Sequence, residues 1–409
     1  MHKQLAAIQR VKPIAIVIPP SLRNVSYPQQ TSVIQVADSY NAFWRLGLWN
    51  FRQFPVKTIG ITGSAGKSTT TAMVASVLKQ KYRFVKTEGN LNTATFLPTY
   101  LCRLSRHHHL LLLEMGMKSL GNIARQCRVV RPQYGAITNV GEAHLGSVGG
   151  AHNVVKAKQE LIDGMRDGGV VWLNSDNEKS RLLRTNHVNV KRFLFGIRGN
   201  VDLKASNIRY TSTGMQFDVL TNNESHTFTI PVFGEHNVYN ALAAIGICHS
   251  FGMSISDIKR GLATFKQPHM RLQLIRGKNG TLLINDAWNA NPTAMIAGLD
   301  VLHALTRRRK SIAVLGDMKE LGSYTKQAHM RVGNYIARKP VDRLITIGKY
   351  AGIIAQQAVN KGFDRRNVFS YRTRESALNH LRHVSSGSVI YFKASRSLHF
   401  EKLVKALKR

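Results

Sequence analysis

Thr58-Ile59-Gly60-Ile61-Thr62-Gly63-Ser64-Ala65-Gly66-Lys67-Ser68-Thr69-Thr70 is the stretch on which the rest of the chain can be placed. Thr58 to Thr62 is a short apolar, β-favouring run. From Thr70 to Leu78 the apolar residues Met73, Val74, Val77 and Leu78 fall on one helical stripe. The order is therefore strand, glycine loop, helix. Glycines let a backbone turn tightly and approach a phosphate, and the N–H groups of such a loop and of the helix that follows face the anion. Lys67 can neutralise β- and γ-phosphate oxygens, and the Ser68 hydroxyl can ligate Mg²⁺. The spacing departs from G-x-x-x-x-G-K-[ST], because position 61 is Ile. A plain glycine turn with a surface lysine is the alternative; the flanking strand and helix favour the cradle.

Working outward, strand-patterned and helix-patterned segments alternate. Arg83 to Val85 reads as a strand and Thr95 to Leu104 as a helix. Leu110 to Leu113 is unbroken apolar sequence of the kind found in strands buried on both faces, with Glu114 at its carboxyl end. Tyr134 to Thr138 is a further strand, leading into Asn139 to Leu145. Val154 to Met165 reads as a helix carrying Lys156, Lys158 and Glu160, and Val170 to Leu173 as another strand. Alternation of this kind predicts an α/β fold with a mostly parallel, doubly wound sheet, whose ligands sit beyond the carboxyl ends of the strands. The loop 63–67, Glu114 and His144 all fall at such ends. Between Asp202 and Pro231 the pattern becomes antiparallel hairpins, and Gly234-Glu235-His236-Asn237 opens a helix running to Ser250. His107-His108-His109 is read as a solvated turn, since side chains alternate in direction along an extended chain.

After a break at Lys266-Gln267-Pro268-His269, strands recur at Thr281–Ile284, Ser311–Leu315, Arg343–Ile347 and Ser388–Phe392, with helices between them. The expected organisation is a first segment over residues 1–55, a central phosphate-loop domain over 56–268, and a second, Rossmann-like α/β domain over 269–409. The first segment holds two short strands, within 13–19 and 32–36, and a helix over 38–51. It is too small for an independent core.

Composition limits the possibilities. The chain has 409 residues, 43% of them hydrophobic, and 58 Lys+Arg against 22 Asp+Glu give a net charge of +36. Such a field attracts anionic ligands and anionic membrane surfaces, but the basic residues are spread along the chain and form no nucleic-acid motif. No apolar run is long enough to span a bilayer. Cys102, Cys127 and Cys248 have neither disulfide nor metal-ligand spacing, which suits a reducing, cytoplasmic setting.

Several ordered motifs together resemble the Mur ligase family of ATP-dependent amide-forming enzymes. They are Thr62 to Thr70; Leu113-Glu114-Met115-Gly116; Thr138-Asn139-Val140 with Ala143-His144-Leu145; Ala157-Lys158-Gln159-Glu160; Gly234-Glu235-His236-Asn237 with Asn240 to Ala244; Asn285 to Pro292; Leu315 to Gly322; and Lys393 to Ser397. Glu114-Met115-Gly116, Leu315 to Gly322 and Lys393 to Ser397 are similar to the branch that adds D-alanyl-D-alanine to UDP-N-acetylmuramoyl-tripeptide in peptidoglycan precursor synthesis.

The resemblance implies ATP and Mg²⁺, and it assigns roles. Gly63, Ser64, Ala65, Gly66, Lys67, Ser68 and Thr69 would cradle the phosphates. Ser68 and Glu114 would ligate a first Mg²⁺, and His144 with a carbamoylated Lys158 would serve a second. Asn237 and Asn240 would face adenine, Arg271 the phosphates and Asp286 the ribose. Asn289, Asn291 and Arg396 would stand on the side of the incoming dipeptide. The substrates are small molecules and the expected state is a monomer. Ala287 and Trp288 depart from the family's usual Ser and Tyr. Residues 14–51 resemble only the last part of the family's first domain, and the signature of its uridine pocket is not found. The same chemistry on a different, non-UDP carboxylate, or a weakly catalytic basic binding protein, therefore stand as alternatives.

Overall fold

The computed structural model describes residues 2–142, 145–221 and 224–409. Three sheets account for the strands. The first is a parallel pair, β1 (Ala15–Ile18) and β2 (Ser32–Gln35). The second has nine strands: β3 (Lys57–Thr62), β4 (Phe84–Lys86), β5 (Leu110–Glu114), β6 (Tyr134–Ile137), β7 (Gly169–Asn174), β8 (Val190–Gly196), β9 (Leu203–Tyr210), β10 (Met215–Thr221) and β11 (Glu224–Ile230). The third has six: β12 (Gln273–Arg276), β13 (Leu282–Asn285), β14 (Ser311–Gly316), β15 (Arg343–Ile347), β16 (Val368–Tyr371) and β17 (Val389–Lys393).

The nine-stranded sheet runs β11-β10-β9-β8-β7-β6-β3-β5-β4. It is parallel from β4 through to β9, while β10 and β11 turn back antiparallel. Strand β3 lies between β5 and β6, so the chain order reverses there, and the crevice at such a switch point is where α/β sheets bind ligands. Side chains alternate along β5. Leu110 and Leu112 enter the core shared with the helices Lys67–Leu78 and Glu235–Ser250, while Leu111 and Leu113 enter the core shared with Asn122–Val130 and Ala151–Asp163. Burial on both faces explains why this strand is apolar at four successive positions.

The six-stranded sheet runs β12-β13-β17-β14-β15-β16, all parallel except the edge strand β12. Helices Pro292–Thr306, Thr325–Arg338 and Gly352–Asn360 cover one face, and Arg374–Arg382 and Glu401–Leu407 the other.

Ahead of the nine-stranded sheet, Asp38 caps the helix Ser39–Gln53 by accepting from the N–H groups of Tyr40 and Asn41. The helix docks on Leu97–Leu101 through Trp44, Gly47 and Asn50, whose amide donates to the carbonyls of Leu101 and Leu104. Every residue of β2 is exposed.

The pattern over 95–104 overstated the helix, which spans Leu97–Leu101 behind a short 3₁₀ turn that brings Pro98 into the first turn. Strands β8, β12 and β16 and the helix Asn122–Val130 went unread in the sequence. Three of the four are short or half-exposed, and β8 carries Lys191 and Arg192 at its start. Among the described residues no helix is long and apolar enough to cross a membrane.

Gly246 sits where the helix Glu235–Ser250 crosses Trp172. A Cβ there would stand 2.5 Å from the indole, which is stacked on Phe193 and donates from its ring N–H to Ser250 Oγ, and so cannot move aside. Alanine is the better helix former by about 1 kcal/mol, but overpacking a filled core costs about 1–3 kcal/mol. Gly246→Ala is therefore expected to lower stability by roughly 1 kcal/mol, read as a lower denaturant midpoint at unchanged slope. A rise in the midpoint would contradict this packing account.

Candidate active site

The loop after β3 is fixed before any ligand arrives. Ser64 N–H donates to Asn139 O (3.0 Å) and Ala65 N–H to Asn139 Oδ1 (2.9 Å), while Thr138 Oγ1 and Asn139 Nδ2 donate to Ala65 O. Gly141 N–H donates to Ser64 Oγ at 2.8 Å. Two glycines are required by this closeness. Gly63 (φ 149°) and Gly66 (φ 83°) have positive φ, and a Cβ would collide with Thr138 Oγ1 at the first and Asn240 Oδ1 at the second. Gly66 caps the helix Lys67–Leu78, whose first N–H groups open into the cleft.

Lys67 folds back over the loop, its Nζ donating to Gly63 O at 2.7 Å. Burial holds this ammonium below its ordinary pKa, with Glu114 opposing the shift and Arg271 adding to it. Glu114 ends β5 and is 5% exposed; Asn92 Nδ2 donates to its Oε1 at 2.8 Å. It is not a solvated acid.

Lys158 is 1% exposed and is no solvated surface lysine, whereas Lys156 on the same helix is exposed. Among the described residues, Lys158 Nζ has Thr62 Oγ1 at 3.2 Å and Met117 Sδ at 3.6 Å. Burial, then the neighbouring Lys67 charge, push its pKa well below the usual lysine value. Glu160, two residues on, accepts from the N–H groups of Gly121, Ile123 and Ala124 and caps the helix Asn122–Val130. His144 lies outside the described residues.

Opposite the loop, Arg271 comes from the segment that leads into the six-stranded sheet. Its Nη2 donates to Ser68 Oγ at 3.2 Å, and Gln267 donates to its carbonyl. The residues on either side, Met270 (φ 56°) and Leu272 (φ 49°), hold left-handed conformations that cost on the order of 1–3 kcal/mol each. The chain is bent out of its preferred geometry just where it presents this arginine. Asp286, after β13, accepts from Lys393 Nζ, Tyr391 OH and Leu272 N–H in a nearly dry setting.

The cleft between the sheets is lined by the loop 64–69, by His236, Asn237, Tyr239 and Asn240 of one helix, and by Arg271, Asp286, Asn289, Asn291 and Lys393 from the other side. Asn237 and Asn240 are buried and joined, Asn240 Nδ2 donating to Asn237 Oδ1 at 2.9 Å. His236 lies in the first turn of its helix and lines the cleft; burial lowers its pKa to about 4.

Asn291 uses Oδ1 to cap the helix Pro292–Thr306, accepting from Ala294 N–H, and the exposed Asn289 accepts from Ala290 N–H. Arg396 lies outside the lining: it is exposed, pairs with Glu401 at 2.7 Å and stands 5.8 Å from the Trp288 ring centroid, with Arg271 near the same ring.

Sequence reasoning passed over Asn174, Asp176 and Asn177, which line the cleft just beyond β7. Asp176 Oδ2 accepts from Tyr239 OH and from Ile197 and Arg198 N–H. Their signal was position alone, the carboxyl end of a parallel strand two places from β3.

Ser68 and Glu114 offer the oxygen donors that Mg²⁺ prefers, and that ion is usually held by one or two carboxylates plus substrate phosphates. Among the described residues no three His, Cys, Asp or Glu side chains converge, and that mode of binding needs no such cluster.

Known proteins bear directly on this arrangement. Residues 61–248 match the Mur ligase middle domain, and residues 270–396 match a domain described as Mur ligase, glutamate ligase domain. The UDP-N-acetylmuramoyl-tripeptide–D-alanyl-D-alanine ligase of Bacillus subtilis is 34% identical over 93% of this chain and 82% of its own length. That of Escherichia coli is 32% identical over 91% and 81%. The crystal structure of MurF from Acinetobacter baumannii superposes with a TM-score of 0.83 at 29% identity, covering 93% of this chain and 83% of its own. MurF ligase from Thermotoga maritima, solved in complex with ADP, shares the fold with a TM-score of 0.82 at 24% identity over 96% and 88%. With relatives above 30% identity aligned over nine-tenths of its length, the chain belongs to the Mur ligase family.

Proposed function

We propose that this chain joins D-alanyl-D-alanine to UDP-N-acetylmuramoyl-tripeptide at the expense of ATP. The observation that carries the reading is the meeting of Arg271 with Ser68. An arginine from the segment leading into one sheet completes the phosphate loop of the other, across a cleft lined from both sides. Similarity to enzymes of that name over nine-tenths of the chain supports the choice of substrates.

In this reading a carboxylate oxygen of the tripeptide attacks the γ-phosphorus, the bond to ADP breaks, and an acyl phosphate forms. The dipeptide amine then attacks the acyl carbon, loses a proton, and inorganic phosphate leaves. Both steps need placement and charge compensation more than a protein nucleophile. Lys67 and Arg271 neutralise the phosphates. The N–H groups of the loop and of the first helical turn face them. Asn237 and Asn240 face the base, and Asp286, held by Lys393 and Tyr391, faces the ribose. Asn289 and Asn291 stand toward the incoming amine. Ser68 and Glu114 would hold Mg²⁺, which draws charge off the transferring phosphoryl group.

Lys158 fits the role of a carbamate. A buried amine with a depressed pKa is a competent nucleophile toward CO₂: the nitrogen adds to carbon, one proton leaves, and an anionic oxygen donor stands where an ammonium would repel Mg²⁺. The depressed pKa gives the unprotonated amine a larger share at any given pH than an ordinary lysine has.

Two outcomes follow. Lys67→Ala and Glu114→Ala should each reduce amine-dependent phosphate release from ATP, UDP-N-acetylmuramoyl-tripeptide and D-alanyl-D-alanine by about 10²–10³-fold or more. Near-normal turnover in either would exclude the mechanism, and release with simpler carboxylates alone would exclude the substrate. Lys158→Ala should be inactive, and short carboxylic acids filling the vacated space should restore part of the rate. An unaffected Lys158→Ala enzyme would remove the carbamate from the account.

A further inference from the structure

Beyond β14 the chain forms a hook whose bracing exceeds what a surface turn requires. Asp317 accepts from the N–H groups of Lys349, Tyr350 and Ala351 at 2.7–3.0 Å. Met318 N–H donates to the buried His329 Nε2 at 3.1 Å, and Lys319 N–H to Ser395 Oγ at 2.8 Å. Met318 and Leu321 are buried in the core of the six-stranded sheet. At its tip, Glu320 holds a left-handed φ of 65° although it is not glycine, a conformation that persists only where its surroundings enforce it.

The tip does not end in solvent. Gly146 N–H, from the nine-stranded unit, donates to Glu320 O at 3.2 Å, and a Cβ on Gly146 would come within 2.6 Å of Gly322 N. One helix further on, Arg331 Nη1 reaches Glu142 Oε2 at 2.7 Å. The two grips fall two residues before and two residues after position 144, while Leu145 and Val148 are buried on the opposite side in the core of the nine-stranded unit.

We infer that the hook 317–322 together with Arg331 positions Glu142 and the helix Leu145–Val148 for the reaction, beside Gly141, whose N–H braces Ser64 of the phosphate loop, so that the six-stranded unit supplies register to the nine-stranded unit as well as Arg271 to the cleft. Arg331, Glu142 and Gly146 are positioning residues. The inference rests on the ligase reading for its functional half. The grip itself is a separate, structural statement.

Gly146→Ala is a clean probe. Gly146 lies in the short helix Leu145–Val148 and is not among the residues with positive φ, so alanine suits its own backbone, and the atoms nearest the added methyl belong to the hook. Arg331→Ala removes the other grip without touching the core, since Arg331 is half-exposed. Hydrogen exchange followed by mass spectrometry on the full chain should show amides of 145–150 exchanging about fivefold or more faster in both variants, with the rest of the nine-stranded unit unchanged.

In the ligation assay kcat should fall about tenfold or more while the dissociation constant of a non-hydrolysable ATP analogue stays within about twofold. The reversed pair Glu142→Arg with Arg331→Glu should recover protection relative to either single change. Unchanged exchange in both variants would overturn the grip. Faster exchange with an unchanged kcat would overturn the positioning role. If the wild-type chain lacks ligase activity, the proposed function fails while the exchange experiment still decides whether the hook holds the segment.

Discussion

Strand β3 is hydrogen-bonded on both sides, and its register sets which groups meet. Ile61 pairs with Glu114 on β5, and Thr62 with Ile137 on β6. The loop 63–66, the Glu114 carboxylate and the Thr138-Asn139 strap therefore emerge side by side at one end of the sheet. A slip of one residue in either pairing would turn every side chain of the slipped strand to the opposite face. The leucines of β5 resist such a slip, because each is committed to one of two cores on opposite faces. The precision of the site is in this sense a property of apolar packing well below it.

The basic groups nearest the phosphate loop share one carboxylate. Lys67, Arg271 and Lys158 converge with burial opposing the ionisation of each, and Glu114 is the anion common to all three environments. Removing one partner of a buried charge pair is costly because the other is left uncompensated. An anion arriving between Lys67 and Arg271 would add to the compensation that Glu114 supplies. The net +36 of the whole chain is spread along the sequence and is not concentrated in the cleft, where Lys67, Arg271 and Lys393 are accompanied by Asp176 and Asp286.

Much of this was legible beforehand because it depends on short-range pattern. The glycine loop, the apolar strand Leu110–Leu113 and the helix at 235–250 are local signals, and the structure has them with shifts of a few residues at the ends. What was not legible depends on contacts remote in sequence, on second duties of a side chain, or on local backbone geometry. Asn174, Asp176 and Asn177 belong to the cleft only because β7 lies two strands from β3. Asn291, read as facing substrate, has its Oδ1 committed to a helix cap, since an asparagine before a proline-initiated helix serves that purpose equally well. Arg396 carries the right charge but is drawn outward to Glu401. The left-handed residues around Arg271 have no composition that announces them, as Met and Leu seldom adopt such geometry.

Glu160 does not point toward the phosphates; it closes over the start of a neighbouring helix. That cap acts as a rotational key. A helix is free to turn about its axis until something off-axis stops it, and three N–H groups gripping one carboxylate stop it firmly. With Glu160 turned to Asn122–Val130, the spacing of two residues along the helix commits Lys158 to the sheet side, where it meets Thr62. The short motif shared by these residues thus encodes a chemical group and the orientation that makes it useful. The two requirements are separable: a chain that abandoned the lysine and its chemistry would still need the glutamate to keep its helices in place.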